Sequence, residues 1–373
     1  MIYLDNAATT RIDNEVFEEM KPFLTEIYGN AQSQHAYGRA AANAVISARD
    51  KIAGLCGCKA EEIYFVSGGT EAGNTALKGV CAAHGKGHLI VSAIEHPALT
   101  ESAEDMQKHG FEVTFLKPDE NGRISPESVA AAIRKDTIFC AVMAANNETG
   151  VIQPIKEIGE ICRERGVFYY CDCVQSACTM ELPTGYCDAL GFSAHKFYGP
   201  KGIGALYVKS GSKISRLISG GRQERGLRGG TVNTAGIVGL AKAFELACNS
   251  RLGTAANLEK LRNRFVERVL TEIDGTHLNG GGEILTSHAN ISFDGCDGEN
   301  ILFYLDLKRI AVSTGSACSA GAVNPSRVLL AMGLSEARAK SAVRFTFGKY
   351  NTLKEVDETV EALKSAVKTI RNK

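Results

Sequence analysis

The stretch EIYFVSGGTEAGNTALKGVCAAHG, residues 62–85, decides the fold class. Its apolar run from Ile63 to Val66 closes in Ser67, Gly68 and Gly69, and a helical stretch follows at once. A strand that turns through glycine into a helix is the first half of a strand-helix-strand crossover. The alternation recurs: HLIVSAIEH (88–96) leads into PALTESAEDMQKHG (97–110), and TIFCAVMAANNE (137–148) precedes IKEIGEICRERG (155–166) and VFYYCDCVQS (167–176). Apolar strands alternating with helices predict a parallel sheet covered on both faces, an α/β protein.

Beyond ALGFSAHKF (189–197) and GIGALYVK (202–209), the glycine-rich SGGRQERGLRGGT (219–231) interrupts the pattern. Residues 234–270 then read as one long helix. HANISFDG (288–295), a helix near 298–307, IAVSTGSACSAG (310–321), a helix near 325–332, SAVRFTFG (341–348) and a last helix from about 352 predict a smaller α+β domain. The expected partition is a large domain over 15–255 and a small one built from 1–14 and 256–373. There is no internal repeat and no low-complexity linker.

Composition excludes several classes. In 373 residues, 44% are hydrophobic and 23% charged, and 42 basic side chains balance 42 acidic ones. That is the profile of a soluble globular protein, with no charge excess to draw it to nucleic acid. No run approaches the ~20 apolar residues of a membrane span, and MIYLDNAATTRIDNEVF (1–17) lacks a basic start followed by an apolar core. A cytoplasmic protein is expected.

The twelve cysteines are scattered, several inside apolar runs, which suits reduced thiols. The C-x-C spacing of Cys56 with Cys58 and of Cys171 with Cys173, and the C-x4-C spacing of Cys173 with Cys178, do not match the C-x2-C pairs of structural zinc sites. They read as small core hydrophobes, with no metal expected. Strand alternation turns Cys171 and Cys173 away from the side of Asp172.

Ligands of open parallel sheets gather beyond the carboxyl ends of the strands. Ser67, Gly68, Gly69 and Thr70 stand there at the start of a helix, as an anion site or as an ordinary N-cap turn. Other strand ends deliver Glu95 and His96; Asn146, Asn147 and Glu148; Asp172 and Gln175; Ser193, His195 and Lys196. Asp172 ends a strongly apolar strand, where desolvation drives a lone carboxylate toward protonation unless a cation faces it. That cation is either a lysine on a neighbouring strand end or the protonated nitrogen of a pyridine cofactor. In the second case Lys196 is the amine that joins the cofactor's aldehyde as a Schiff base.

SAHKFYGPKGIGALYV, with YLDNAATT, SGGTEAGN, EHPA, NNETG, DCVQS, ERGLRGGT and STGSACSAG, resembles the cysteine desulfurases of the NifS and IscS type, from residue 3 to about 370. The resemblance implies the fold of fold-type I pyridoxal-phosphate enzymes, a mostly parallel seven-stranded sheet plus a small domain. It implies that Lys196 binds pyridoxal 5′-phosphate, Asp172 pairs with the ring nitrogen, Gln175 contacts the ring hydroxyl and His96 stacks on the ring. Thr70, Ser193 and His195, with Gly69, are implied at the phosphate, with Thr231 reaching across from a second subunit of a homodimer. Asn147 and Arg344 match positions that hold the substrate carboxylate.

The same resemblance makes Cys318 the persulfide carrier: L-cysteine becomes L-alanine and the sulfur passes to an acceptor protein of iron-sulfur assembly or tRNA or cofactor thiolation. An unperturbed thiol has a pKa near ~8.5, which gives His96 a part as proton acceptor. Selenocysteine lyases and aminotransferases share the cofactor, but an aminotransferase has no use for Cys318. A non-catalytic scaffold would lack Lys196 or Asp172, and a dinucleotide-binding dehydrogenase would need a G-x-G-x-x-G that is absent after the first strand. Arg222 stands where the family commonly has glycine, so it either adds charge near the phosphate or strains a left-handed position.

Overall fold

The computed structural model describes residues 1–177, 179–315 and 325–372. Among the described residues twelve strands run in chain order: β1 (Ile2–Tyr3), β2 (Ile63–Val66), β3 (His88–Ser92), β4 (Glu112–Leu116), β5 (Thr137–Ala141) and β6 (Phe168–Asp172). β7 (Ala189–Ser193), β8 (Gly204–Val208), β9 (Thr276–Leu278), β10 (His288–Phe293), β11 (Ile310–Ala311) and β12 (Ala342–Thr346) follow. Seven of them form the main sheet in the order β2-β8-β7-β6-β5-β3-β4. The sheet is parallel except for β8, which lies antiparallel to both β2 and β7. GIGALYV therefore returns against the general direction, and the sheet is mostly rather than wholly parallel.

The sequence reading passed over β4. That strand lies on the sheet edge, with Glu112 exposed and its next three residues only half-buried, so it lacks the continuous apolar run that marks the central strands.

Residues of the central strands alternate between two cores, as the period of a pleated strand requires. Cys140, Tyr169, Cys171 and Leu190 face one layer, with Ile52 and Val45 of the helix Ala36–Cys56 and Ile237, Leu240 and Phe244 of the helix Thr234–Glu272. Phe139, Tyr170 and Ala189 face the other, with Ala76, Leu77 and Val80 of Gly69–His84 and Leu99 of Pro97–Lys108. Cys171 and Cys173 are fully buried with their sulfurs 3.8 Å apart, both packed in the layer opposite Tyr170.

A third core forms between the sheet β12-β10-β9 and the helix Leu353–Arg371, joined by Leu258, Leu261, Phe265 and Val269. The 39-residue helix Thr234–Glu272 thus packs its first half on the main sheet and its second half on the small one. β1 pairs in parallel with β11 and carries Leu4 into the third core, which leaves residues 5–10 crossing between the two cores. No helix among the described residues is long and apolar enough to cross a membrane.

Arg222 has φ −91°, so no left-handed position is strained there. The strain lies at Glu224 (φ 46°) and Arg225 (φ 52°). A buried bidentate pair holds it, Arg49 donating to both carboxylate oxygens of Glu224 at 2.7 and 2.9 Å while Glu224 also accepts the Phe65 amide at 2.8 Å.

Candidate active site

A cleft of about 830 Å³ opens over the carboxyl ends of β2, β3, β5, β6 and β7. It gathers Gly69, Thr70, His96, Asn147, Asp172, Gln175, Ser193, His195, Lys196 and Arg344 around one space. A second cavity of about 300 Å³ shares Ala7, Gln175 and Lys196 with it and runs toward the helix Thr234–Glu272. The strand-end groups singled out in the sequence converge on the larger one.

Asp172 closes β6 and is almost wholly buried. Burial pushes its pKa up to about 6, against the lowering effects of the Val174 amide, which donates to Oδ1 at 2.8 Å, and of the Lys196 charge. Lys196 sits on the single 3₁₀ turn Ala194–Lys196 that ends β7. Its Nζ donates to the carbonyls of Ala7 at 2.6 Å and Ala8 at 3.0 Å, so the N-terminal crossing segment helps solvate the ammonium that the sequence left without an evident environment.

The two histidines are kept neutral. His195 is driven down to about 4 by burial and by the charges of Lys196 and Lys201, and its Nδ1 lies 3.2 Å from the Thr9 hydroxyl. Burial, then Lys196, also lowers His96. His96 caps the helix Pro97–Lys108, its Nδ1 accepting the Ala98 amide at 3.1 Å, so the neutral ring carries its proton on Nε2. Poised this way the ring offers the cleft a hydrogen-bond donor at Nε2.

The start of the helix Gly69–His84 is tightly packed. Gly68 precedes the helix Gly69–His84 with φ 157°, and the Gly69 amide donates to the Ser193 hydroxyl at 2.6 Å. A Cβ on Gly69 would lie 2.4 Å from Cγ2 of Val174, which shows how closely the backbone wraps this end of the cleft. Glu71 in the first turn is held by Arg228 at 2.9 Å and by the Ser67 amide at 2.8 Å, so its charge is occupied at the rim.

Arg344 on β12 is the group the small sheet contributes. Its Nη1 donates to the Asn147 carbonyl at 2.9 Å and its Nη2 pairs with Asp5 at 2.8 Å, while Nε is buried without a partner among the described residues. Gln175 donates to the Ala7 carbonyl at 3.0 Å. Glu95 is fully buried beside Asp172, with Oε1 accepting the Met143 amide at 2.7 Å and Oε2 without a partner among the described residues. Burial, then the Asp172 charge, raises its pKa well above the usual carboxylate range and so favours its protonated form.

Two expected residues are not in this set. Thr231 is exposed and lies outside the cleft lining of its own chain. Cys318 falls outside the described residues. Conversely, Asp5, the carbonyls of Ala7 and Ala8, and Ser326 were given no role by the sequence reading. The polar run DNAATT after the first strand was the available signal.

The aminotransferase class-V profile matches residues 2–359. The chain belongs to that family. It is 44% identical over 376 residues to the cysteine desulfurase IscS of Dictyoglomus turgidum, with 99% of this chain and 95% of that protein covered. A solved NifS-like protein superposes with a TM-score of 0.92 at 36% identity, covering 99% of each chain. A solved structure of SspA in complex with cysteine superposes at 0.85 and 36% identity, covering 94% of this chain and 100% of that one.

The cofactor of this member of the class-V family is pyridoxal 5′-phosphate. The residues present fit it. Asp172 is a desolvated carboxylate that a ring cation would return to its charged form, Lys196 is an amine in the same cleft, and the helix start at Gly69 with Ser193 and His195 suits a phosphate. The buried, unpartnered Nε of Arg344 fits an incoming carboxylate on the opposite wall.

Proposed function

We propose that this protein is a cysteine desulfurase that takes sulfur from L-cysteine, releases L-alanine and carries the sulfur as a persulfide on Cys318. The observation that carries this reading is the convergence of Lys196, Asp172 and Arg344 on one cleft. When bound, pyridoxal phosphate supplies an aldehyde for amines to join and a protonated ring that accepts the electron pair released at the substrate's α-carbon. The chain's own groups do the rest. Asp172 holds the proton on the ring nitrogen, and Gln175 lies at the ring hydroxyl. Gly69, Thr70, Ser193 and His195 hold the phosphate, with Thr231 added from a second subunit.

Asn147 and the planar fork of Arg344 orient the substrate carboxylate. Lys196 Nζ takes the α-proton, and the neutral His96 ring, which lines the cleft, offers an Nε2–H hydrogen bond there. The Cys318 thiolate attacks the substrate sulfur: an S–S bond forms, the C–S bond breaks, its electron pair stays on carbon and a proton is added there. L-cysteine and a thiol become L-alanine and a persulfide, with no external oxidant. A homodimer is the working unit, and an acceptor protein of iron-sulfur assembly or tRNA or cofactor thiolation receives the sulfur in the cytoplasm.

Alanine formation from L-cysteine in the protein loaded with pyridoxal phosphate tests this. Lys196→Ala is expected to lower it by about 10²–10⁴-fold, the range for a lost general base, and Cys318→Ser to abolish it. Full alanine formation by Cys318→Ser contradicts the persulfide route and favours another C–S-cleaving lyase of the same fold, whereas an aminotransferase would leave the C–S bond intact and form no alanine from L-cysteine.

A further inference from the structure

Glu148 is a buried carboxylate next to Asn147 that no step above uses. Its turn is fixed by Asn146, whose side-chain oxygen accepts the amides of Glu148 and Thr149 at 2.9 Å each while its Nδ2 donates to the Ile94 carbonyl at 2.9 Å. The Glu148 carboxylate is thereby aimed at two places far apart in the chain.

One is Ser326, whose hydroxyl donates to Oε2 of Glu148 at 2.5 Å and accepts the Leu329 amide at 3.1 Å. The other is Gly315, which passes so close that a Cβ on it would lie 2.0 Å from the same Oε2. Burial and the Ser326 bond keep that carboxylate from swinging aside, so position 315 has room for glycine alone. Gly315 and Ser326 flank the stretch that carries Cys318. The entering side is tied to the substrate wall as well: Ser313 and Arg344 exchange backbone hydrogen bonds at 3.2 and 2.7 Å, and Arg344 donates to the Asn147 carbonyl.

We propose that Glu148 is a positioning residue for sulfur transfer: one carboxylate oxygen fixes both Gly315 and Ser326, two described residues that flank Cys318 in the sequence, in register with Arg344. The inference rests on the reading of Cys318 as the sulfur carrier. Burial raises the Glu148 pKa, and the Ser326 bond and the Arg344 charge counter it. The contact works through a hydrogen bond, so glutamine, which still offers an oxygen to Ser326, serves where alanine does not.

The test uses the protein loaded with pyridoxal phosphate and reads two quantities. One is the change in cofactor absorbance as a function of L-cysteine concentration; the other is the rate of alanine formation. In Glu148→Ala the absorbance change and its concentration dependence are expected to stay as in wild type, while alanine formation falls by about 10²-fold, the scale for a misplaced reacting group. Ser326→Ala is expected to show the same split at about ten-fold, and it carries the test if Glu148→Ala does not fold. Glu148→Gln is expected to recover most of the rate.

Wild-type alanine formation in both Glu148→Ala and Ser326→Ala overturns the proposal. So does a parallel loss of cofactor binding, cysteine response and turnover, the mark of a purely structural group. Cys318→Ala separates the layers: if it makes alanine at the wild-type rate, the reading of Cys318 fails, whereas a dead Cys318→Ala beside a fully active Glu148→Ala sinks the positioning role alone.

Discussion

The floor of the cleft and its outer wall are built in opposite ways. The floor, from Asp172 to Lys196, comes from two adjacent strands, β6 and β7, and one short run of chain. Its electrostatics are set by burial, which raises Asp172 and lowers His195, and burial shifts Glu95 and His96, just past the end of β3, in the same directions. The wall is gathered from Asp5, Asn147, Glu148, Ser313, Ser326 and Arg344, distant in the chain, and its side chains are held by partners: Arg344 with Asp5, Glu148 with Ser326. A floor governed by desolvation gains most from a ligand of complementary charge. A wall built on pairing is satisfied at both Nη groups of Arg344 but, among the described residues, not at its Nε.

Asp172→Asn in the cofactor-free protein probes the floor and has the larger expected effect. A carboxyl with a folded pKa of about 6 against an ordinary value of 3.8 binds its proton more tightly when folded, so the wild type loses stability as pH rises from about 4 to 6. The variant escapes that loss. It is expected to be more stable than wild type by up to about 3 kcal/mol at pH 7.5, with the gain gone near pH 4. Urea unfolding across pH checks this, and added pyridoxal phosphate is expected to reverse the order. Equal stabilities at pH 7.5 break the claim that burial governs the floor.

Arg344→Lys probes the wall. Lysine keeps the charge but loses the fork that serves Asn147, Asp5 and an incoming carboxylate together. The KM for L-cysteine is expected to rise by about ten- to a hundred-fold, the equivalent of one charged hydrogen bond, with a smaller change in kcat. An unchanged KM with a depressed kcat places Arg344 in the chemistry rather than at the substrate carboxylate.

The same contrast explains what could be read in the sequence. Asp172, Ser193, His195 and Lys196 close apolar strands, and a strand end is a local pattern that one chain displays by itself. The helix expected over 234–270 runs over Thr234–Glu272, and the last helix over Leu353–Arg371, because their apolar spacing and caps are local too. The pairs Asp5 with Arg344, Lys196 with Ala7, and Glu148 with Ser326 join residues 339, 189 and 178 positions apart, and nothing near either partner announces the other. Arg222 misled in a different way: the glycine-rich run does carry left-handed backbone, at Gly226 and Gly230 and also at the non-glycine Glu224 and Arg225, but not at Arg222; Glu224 is held by Arg49 from a distant helix.

The most direct test of the central claim loads the protein with pyridoxal phosphate, reduces it with borohydride and maps the pyridoxyl group by peptide mass analysis. The account requires the label on Lys196, and its loss in Lys196→Ala. A label on Lys201 or Lys349 instead, or an unchanged yield of labelled protein in Lys196→Ala, would contradict it.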